Sequence, residues 1–355
     1  MGFFELLRIS LGNGTTLTHN LTADEWQETY LMAEKQAVVG LLLCGIERLP
    51  EGQRPPQEFM LQWIGEVLQI EDQNKTLDIA AGQLTRVFNA GGLRSCVLKG
   101  QGVARLYPQP KRRQSGDIDL WVEGGRKKVL KFLKDSFLGT GRVVIHHVDA
   151  RIIEGVESEI HFIPVYACNP FLHHRLQKFF KQQSDVQFSN YDKTLGFSYP
   201  TLRFNAVYVL SHIYMHFLYE GIGLRQIVDY FYVLKHLSEN EKEQAQVDIK
   251  KVGLDKFARA VMYVLETVCG MNYRLAIAKS DEIRGRSLYE EIQRSGNFGK
   301  YDERLKDRNR KSRILFNLGA LKRQIRFLRY YPMDVISIPF FKIGHWFWRK
   351  YKGYL

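Results

Sequence analysis

The chain has 355 residues, of which 45% are hydrophobic and 25% charged, as expected of a globular protein with a sizeable core. Four widely separated cysteines argue against a disulfide framework and favour a reducing, cytoplasmic compartment; we expect no secretory signal and no membrane-spanning helix. The net charge of +13 is concentrated at the C-terminal end, where the last 55 residues carry fourteen Lys/Arg and four Asp/Glu.

Residues 1–93 predict an N-terminal helical region. Thr22 followed by Glu25 supplies an N-cap and an early acid for one helix. From Gln57 to Asn89 the apolar residues recur at helical spacing, and two glycines end the pattern.

Residues 94–168 predict a compact α/β core, so the chain as a whole belongs to the α+β class. Apolar runs with period-two alternation indicate strands, and amphipathic stretches indicate helices. We expect strands at Ser95–Leu98, Asp117–Val122, Arg142–Val148 and Ile152–Ile163, and helices at Gln101–Tyr107 and Lys127–Phe137.

Residues 169–298 predict a large helical domain, and residues 299–355 a basic C-terminal helical segment. Within the latter, Gly299–Lys311 is polar and charged and predicts a linker, whereas Ile314–Tyr331 has a helical pattern. From Pro339 to Tyr351 aromatic and cationic residues alternate. This mixture suits an interfacial membrane segment, a surface that stacks RNA bases, or a terminal helix that docks on the body of the protein.

The acidic residues Asp117 and Asp119 lie two positions apart on a predicted strand, so both point to one face. Neighbouring carboxylates repel unless a cation lies between them, and hard oxygen ligands favour Mg²⁺ or Mn²⁺. Glu157, Glu159 and His161 share a face of a later strand, and we take Glu159 as the third carboxylate, a metal ligand or a base. Taken alone, the two aspartates also fit a solvated acidic turn.

The surrounding motif resembles a known family. It consists of a Lys-Gly turn, a Tyr-Pro pair, an Arg pair and an Asp-Ile-Asp-Leu strand, followed by an acid-apolar-His strand and a helical block with spaced His, Arg and Asp. The residues are Leu98-Lys99-Gly100, Tyr107-Pro108, Arg112 to Val122, Glu159-Ile160-His161, His212, His216, Arg225 and Asp229. This order is similar to the bacterial uncharacterised nucleotidyltransferase family, within the polymerase-β-type nucleotidyltransferase superfamily.

The resemblance implies a polymerase-β-like core of a small mixed sheet with helices, flanked by N-terminal helices and a large C-terminal helical region. It implies Asp117, Asp119 and Glu159 as catalytic and metal-binding residues, with Mg²⁺ or Mn²⁺ as cofactor and an NTP as substrate. The nucleotide would be bound by Lys99, Gly100, Arg112, Arg113, Ser115 and Arg225. Two positions depart from the wider pattern: Lys99-Gly100 replaces a Gly-Ser turn, and Glu159 replaces an Asp.

For the histidines and the Arg225/Asp229 pair the sequence leaves structural and functional interpretations open. His212 and His216, at helical spacing, predict packing or hydrogen bonding against the core rather than a zinc site. Arg225 and Asp229 have the spacing of a helix-stabilising pair, although Arg225 near nucleotide phosphates is the functional interpretation. His146-His147 predicts surface or edge residues.

Three function classes remain. The first is a nucleotidyltransferase that moves a nucleoside monophosphate to a hydroxyl of a small molecule or peptide, or of RNA. The second is a non-catalytic nucleotide-binding module with the same fold, and the third is a metal-dependent phosphotransferase or nuclease. The basic end adds the hypothesis of peripheral contact with the inner membrane or with nucleic acid.

Overall fold

The computed structural model describes residues 2–136, 138–304 and 313–354, and begins with four helices. The predicted cap of the second helix is confirmed: the Glu25 backbone N–H donates to the Thr22 hydroxyl, and the Thr22 backbone N–H donates to the Glu25 carboxylate. The helices are α1 (Gly2–Leu11), α2 (Ala23–Gln36), α3 (Val39–Ile46) and α4 (Gln57–Ala90).

The long helix α4 connects two hydrophobic cores. Trp63 and Val67 in its first half pack into the large core of the helical regions, whereas Leu84 and Phe88 in its second half pack under the sheet. At a rise of 1.5 Å per residue, 34 residues span about 51 Å. This helix therefore fixes the sheet relative to the N-terminal helices.

A five-stranded mixed sheet follows, as the α+β prediction requires. Its elements are β1 (Ser95–Val97), α5 (Gln101–Ala104), β2 (Ile118–Val122), α6 (Gly125–Asp135), β3 (Thr140–Val143), β4 (His147–Ala150) and β5 (Ser158–His161). The strand order is β1-β2-β5-β4-β3. The central pair, β2 and β5, is parallel, and the other pairs are antiparallel.

Two predicted strands are corrected by the structure. The predicted strand Arg142–Val148 is divided by a turn in which the Val144 N–H donates to the His147 carbonyl at 3.0 Å, so β3 and β4 form a hairpin. The predicted strand Ile152–Ile163 is reduced to β5, because a loop that includes Gly155 at φ +73° precedes it. Both errors arise because apolar residues continue into these turns, at Val143–Ile145 and at Ile152-Ile153.

Residues 170–295 are mostly helical, with one small hairpin. The elements are α7 (Pro170–Ser189), the small hairpin of β6 (Tyr191–Asp192) and β7 (Phe197–Ser198), α8 (Leu202–Tyr219), α9 (Leu224–His236), α10 (Glu239–Val252), α11 (Asp255–Thr267) and α12 (Glu282–Ser295). Helix α8 is buried on nearly all sides, in keeping with its mostly apolar sequence. It contacts the sheet where Phe204 stacks on Trp121, with ring centroids 5.9 Å apart.

Two last helices, α13 (Arg313–Ile325) and α14 (Pro332–Lys352), complete the described chain. Glu291 of α12 anchors this end, accepting 2.7 Å hydrogen bonds from Arg304, Arg323 and Arg326. Residues 305–311 of the predicted linker lie outside the described residues. Among the helices that the structure describes, none has the length and hydropathy needed to cross a bilayer.

Candidate active site

Acidic side chains from neighbouring strands converge on one face of the sheet. Asp119 of β2 pairs in register with Glu159 of β5, which pairs in register with Asp149 of β4. Residues in register on adjacent strands project from the same face. Asp117, one residue before β2, lines one cavity with Asp119 and another with Glu159. The structure thus brings together the three carboxylates that the sequence predicts, although Asp117 precedes the strand.

Asp119 is the most deeply buried of these acids, at 1% exposure. One of its oxygens, Oδ1, lies 3.1 Å from Lys99 Nζ and 3.0 Å from His161 Nε2. The other, Oδ2, has no hydrogen-bond partner among the described residues. Because buried polar atoms are normally paired, this oxygen fits a cation that binds oxygen.

The charges of the site shift the pKa values of its members. Burial alone would lower the pKa of Lys99, but Asp119, Asp117 and Glu159 outweigh it and raise that pKa above its usual value. Burial opposes ionisation of Glu159, yet His161 and Lys99 lower its pKa to about 2. In His161 the hydrogen bonds to Asp119 and Glu159 outweigh burial and raise its pKa to about 9.

The predicted Lys-Gly turn lies directly beside the carboxylates. Gly100 has φ +57° and ψ −116°, a conformation that side chains with a Cβ rarely adopt. The turn is held to β2 because the Leu98 N–H donates to the Asp119 carbonyl at 2.9 Å. Glycine at this position lets the chain turn so that Lys99 reaches Asp119.

Both arginines of the predicted phosphate-binding pair bind carboxylates of the protein. Arg113 donates two 2.7 Å hydrogen bonds to Asp229 and a third, at 3.0 Å, to the Ser115 hydroxyl. Arg112 binds Glu47 at 2.6 Å and Glu71 at 2.9 Å. These contacts give Arg112, Arg113 and Ser115 a positioning role: they fasten the loop before Asp117 to α9 and to the N-terminal helices.

Arg225 differs from these two arginines. Its Nη1 donates to the Gln114 carbonyl at 2.8 Å, but it forms no ion pair with a described residue and its buried Nε has no hydrogen-bond partner there. Burial and the nearby Arg113 lower its pKa to about 10. The helix-stabilising pair with Asp229 that its spacing suggests is wrong, because Asp229 binds Arg113 and Tyr107. A buried cation without a carboxylate partner suits an anionic ligand.

Histidines that sequence reasoning assigned to the surface belong to the site. His147 is buried, and with His146 it lines a cavity of about 280 Å³ together with Glu159 and His161. The prediction of surface or edge residues is therefore wrong for this pair. Its signal in the sequence is the two-residue spacing from His147 to Asp149, which becomes informative only once β4 is known to pair with β5.

The other predicted histidine pair lies on the opposite wall of the same cavity. His212 and His216 have Nε2 atoms 3.0 Å apart, and His216 contacts Glu220 at 3.1 Å. Burial and the charge of Lys99 hold the pKa of His212 well below its usual value. The sequence predicts packing or hydrogen bonding against the core; the pair lines the cavity that Glu159 and His161 also line, and its hydrogen bonds join the two histidines to each other and to Glu220.

Three adjoining cavities meet at Asp117. The first, of about 280 Å³, has the histidines on its walls. The second, of about 30 Å³, is lined by Lys99, Gly100 and Arg225. The third, of about 560 Å³, lies beyond Glu159 beside Asp149. The carboxylates thus lie between a cationic recess and a larger open cleft.

Comparison with protein families agrees with the motif. The family described as uncharacterised nucleotidyltransferase matches residues 22–270. The chain belongs to this family. The matched range extends from the cap of α2 past the end of α11 and contains every residue of the site discussed above, so the family membership predicted from the motif is confirmed.

Comparisons with individual proteins give little similarity. Among solved structures, the chain is similar to an antigenic nucleotidyltransferase-like protein from Paracoccidioides brasiliensis. The two are 12% identical, the similarity covers 59% of this chain and 96% of that one, and the TM-score is 0.34. No curated protein matches the chain.

Proposed function

We propose that this protein is a metal-dependent nucleotidyltransferase that moves a nucleoside monophosphate from an NTP to a hydroxyl of an acceptor. The supporting observation is the buried, unpartnered oxygen of Asp119 beside Asp117 and Glu159, in a chain of this family. Carboxylate oxygens suit Mg²⁺ or Mn²⁺, and these three residues would hold the ions. When bound, such ions neutralise charge on the phosphates and on the leaving pyrophosphate.

The protein's own groups position the nucleotide. Lys99 and Arg225, which line the recess next to Asp117, bind phosphate oxygens. The acceptor oxygen then forms a bond to the α-phosphorus while the bond from that phosphorus to the pyrophosphate oxygen breaks. The hydroxyl proton leaves to Glu159 or to solvent. Holding both reactants at the carboxylates supplies proximity and charge stabilisation.

We place the acceptor in the 560 Å³ cleft on the other side of Glu159. Its volume is that of a small-molecule site. Asp149, Glu157 and Arg151 line it along with Asp117, so its charge is mostly negative. A negative wall repels a phosphate backbone, which favours a small molecule or a peptide over RNA.

The test is transfer from labelled nucleotide. Purified protein is incubated with Mg²⁺ or Mn²⁺ and each α-labelled NTP, with small-molecule and peptide pools as acceptors, and pyrophosphate release and labelled product are measured. We expect Asp119→Asn to lower turnover by roughly 100-fold or more, because it removes charge at the reacting centre. Asp72→Asn, which changes an exposed acid of α4, is the matched control. Equal rates in wild type and Asp119→Asn refute catalysis.

One contact favours the second function class. Lys99 already binds Asp119 at 3.1 Å, so an incoming cation must displace an ammonium group or share the carboxylate with it. A chain in which this ion pair persists would bind nucleotide without turning it over. Nucleotide binding by calorimetry with no pyrophosphate release under any metal selects this class.

The outward face of α14 supports a further proposal about partners. Large apolar side chains recur at spacings of three and four along the helix, each at least 51% exposed. They are Met333, Ile336, Phe340, Ile343, Phe347 and Tyr351. Lys342, Lys350 and Lys352 lie on the same helix. We infer that the stripe inserts into the headgroup region of an anionic membrane, where apolar and cationic groups act together.

Co-sedimentation with vesicles tests this inference. We expect binding to vesicles of phosphatidylserine and phosphatidylcholine, weaker binding at high salt, and loss of binding in Phe340→Ala/Phe347→Ala. The control is Leu61→Ala/Ile283→Ala, which removes equally exposed apolar groups elsewhere. Unchanged vesicle binding in the α14 variant contradicts the inference. Two other results also contradict it: a wild-type dimer in light scattering that only the α14 variant abolishes, and binding to RNA in place of vesicles.

A further inference from the structure

Metal-ligating atoms lie unusually close together where β4 pairs with β5. His146 Nε2 is 3.0 Å from His147 Nδ1. Glu159 Oε2 is 3.2 Å from His147 Nδ1 and 3.2 Å from His161 Nε2. Each of the three histidines, hereafter the histidine cluster, offers a ring nitrogen within 4.8 Å of those of the other two.

The outer nitrogens of the cluster are held by hydrogen-bond acceptors. His161 Nδ1 lies 3.3 Å from the Ile163 carbonyl oxygen, and His147 Nε2 lies 3.1 Å from Asp149 Oδ1. A carbonyl and a carboxylate only accept, so these ring nitrogens carry the protons. The other ring nitrogens face Glu159; His161 Nε2 also lies 3.0 Å from Asp119 Oδ1, so it donates to these carboxylates and would give up that proton to bind a metal. Such outer contacts are typical of histidines that bind a metal.

The inner atoms of this group form a donor set that can bind a cation. Glu159 Oε2 lies 3.2 Å from His147 Nδ1 and from His161 Nε2, and His146 adds its Nε2, 3.0 Å from His147 Nδ1. Imidazole nitrogens with one carboxylate are a donor set for zinc, in contrast to the all-oxygen set that Mg²⁺ prefers. Zinc ligands at bond lengths of 2.0–2.1 Å lie about 3.4 Å apart in a tetrahedron.

We propose that the histidine cluster and Glu159 bind a zinc ion at the wall of the catalytic cavity. The ligand separations of 3.0 and 3.2 Å are near those of a tetrahedral site, and rotation of the rings within the cavity adjusts the remaining ones. Together the histidine cluster and Glu159 supply one ligand from the turn before β4, one from β4 itself and two from β5. Zinc would therefore also link β4 to β5, the strand that carries Glu159.

Glu159 links this site to the catalytic carboxylates. Its Oε2 faces the histidine cluster, and the residue pairs in register with Asp119 across β2 and β5. Zinc would hold Glu159 in one orientation and lower its negative charge. This catalytic consequence rests on the proposed function, whereas zinc binding itself does not.

Metal titration without nucleotide tests the site. Protein freed of metal with a chelator is titrated with Zn²⁺ by calorimetry and with Co²⁺ by visible absorption, in the absence of Mg²⁺. We expect one Zn²⁺ per chain and the intense visible bands of tetrahedral Co²⁺. His147→Gln should lose stoichiometric binding, and Asp149→Asn, which removes only the outer contact, should weaken binding about 10–100-fold.

The control is His174→Gln, a change at an exposed histidine of α7 that should bind zinc like wild type. Circular dichroism in the presence of chelator verifies the fold of each variant, and Asp149→Asn decides the question if His147→Gln does not fold. Absence of stoichiometric zinc in wild type, or wild-type affinity in the folded variants, overturns the site. Zinc binding without nucleotide transfer overturns only the proposed function, and transfer by a chain that binds no zinc overturns only this site.

Discussion

The ion pair between Arg113 and Asp229 provides the sharpest test of how the site is held. Asp229 accepts two hydrogen bonds from Arg113 and one from the Tyr107 hydroxyl, all at 2.7 Å, and all three residues are buried. Arg113 begins the loop that leads to Asp117. Changing Asp229→Asn keeps the size of the side chain but removes its charge.

The loss expected from Asp229→Asn follows from this burial. It leaves the Arg113 guanidinium as a buried cation without a counter-charge, which costs about 3–5 kcal/mol. Tyr107→Phe removes a single hydrogen bond to a charged acceptor, about 1.5–3 kcal/mol. The double variant Arg113→Met/Asp229→Leu removes both charges together, so it should recover most of the stability.

Urea unfolding followed by circular dichroism measures these free energies. We expect the order Asp229→Asn least stable, then Tyr107→Phe, then wild type, with the double variant much nearer to wild type than Asp229→Asn is. Nucleotide transfer should nevertheless stay low in the double variant, since the loop before Asp117 loses its attachment. If the unfolding free energy of Asp229→Asn lies within about 1 kcal/mol of the wild-type value, Arg113 is not left as an uncompensated buried charge. The positioning role of Arg113 is then refuted.

Other predictions concern single groups. Arg225→Ala should raise KM for NTP about 10–100-fold by removing a charged hydrogen-bond donor to phosphate, and Arg225→Lys less; steady-state kinetics would show no change if phosphate lies elsewhere. Gly100→Ala should lower the free energy of unfolding by about 1–3 kcal/mol through its positive φ, and an unchanged urea midpoint contradicts that strain. Burial raises the pKa of Glu291, but Arg323 and Arg304 lower it overall, so its contribution is present above its ordinary value of 4.5 and is lost as pH falls through the lower folded value. Unfolding free energy should thus fall more steeply below about pH 4.5 in wild type than in Glu291→Gln, and parallel pH profiles would exclude this contribution.

Local patterns were sufficient to predict much of the fold. The cap at Thr22, the helix α4 and the strand β2 follow from signals confined to a few neighbouring residues. The turn at Lys99-Gly100 and the pair Asp117/Asp119 were likewise visible, because the motif is continuous in sequence. The register of β2 with β5 then determines where Glu159 lies.

Contacts distant in sequence could not be predicted in this way. Arg113 and Asp229 are 116 positions apart, so nothing local shows that they neutralise each other. His147 joins the site only through the β3–β4 hairpin, whose turn has no glycine or proline to mark it. For this reason Arg113 was assigned to phosphate and His147 to the surface, whereas Arg225, with no carboxylate partner among the described residues, fits its functional interpretation.

Charge balance explains why Arg112 and Arg113 have a different role from Lys99 and Arg225. Arg112 and Arg113 are neutralised by carboxylates outside the reaction centre. They therefore hold the loop in place but contribute little electrostatic potential at the site. Lys99 and Arg225 instead face Asp117 and Asp119 across the small recess. Divalent ions and an NTP bring charges that nearly cancel, so they can enter together without upsetting this balance, whereas either one alone leaves excess charge in a buried site. The geometry therefore favours binding of nucleotide and metal as one complex.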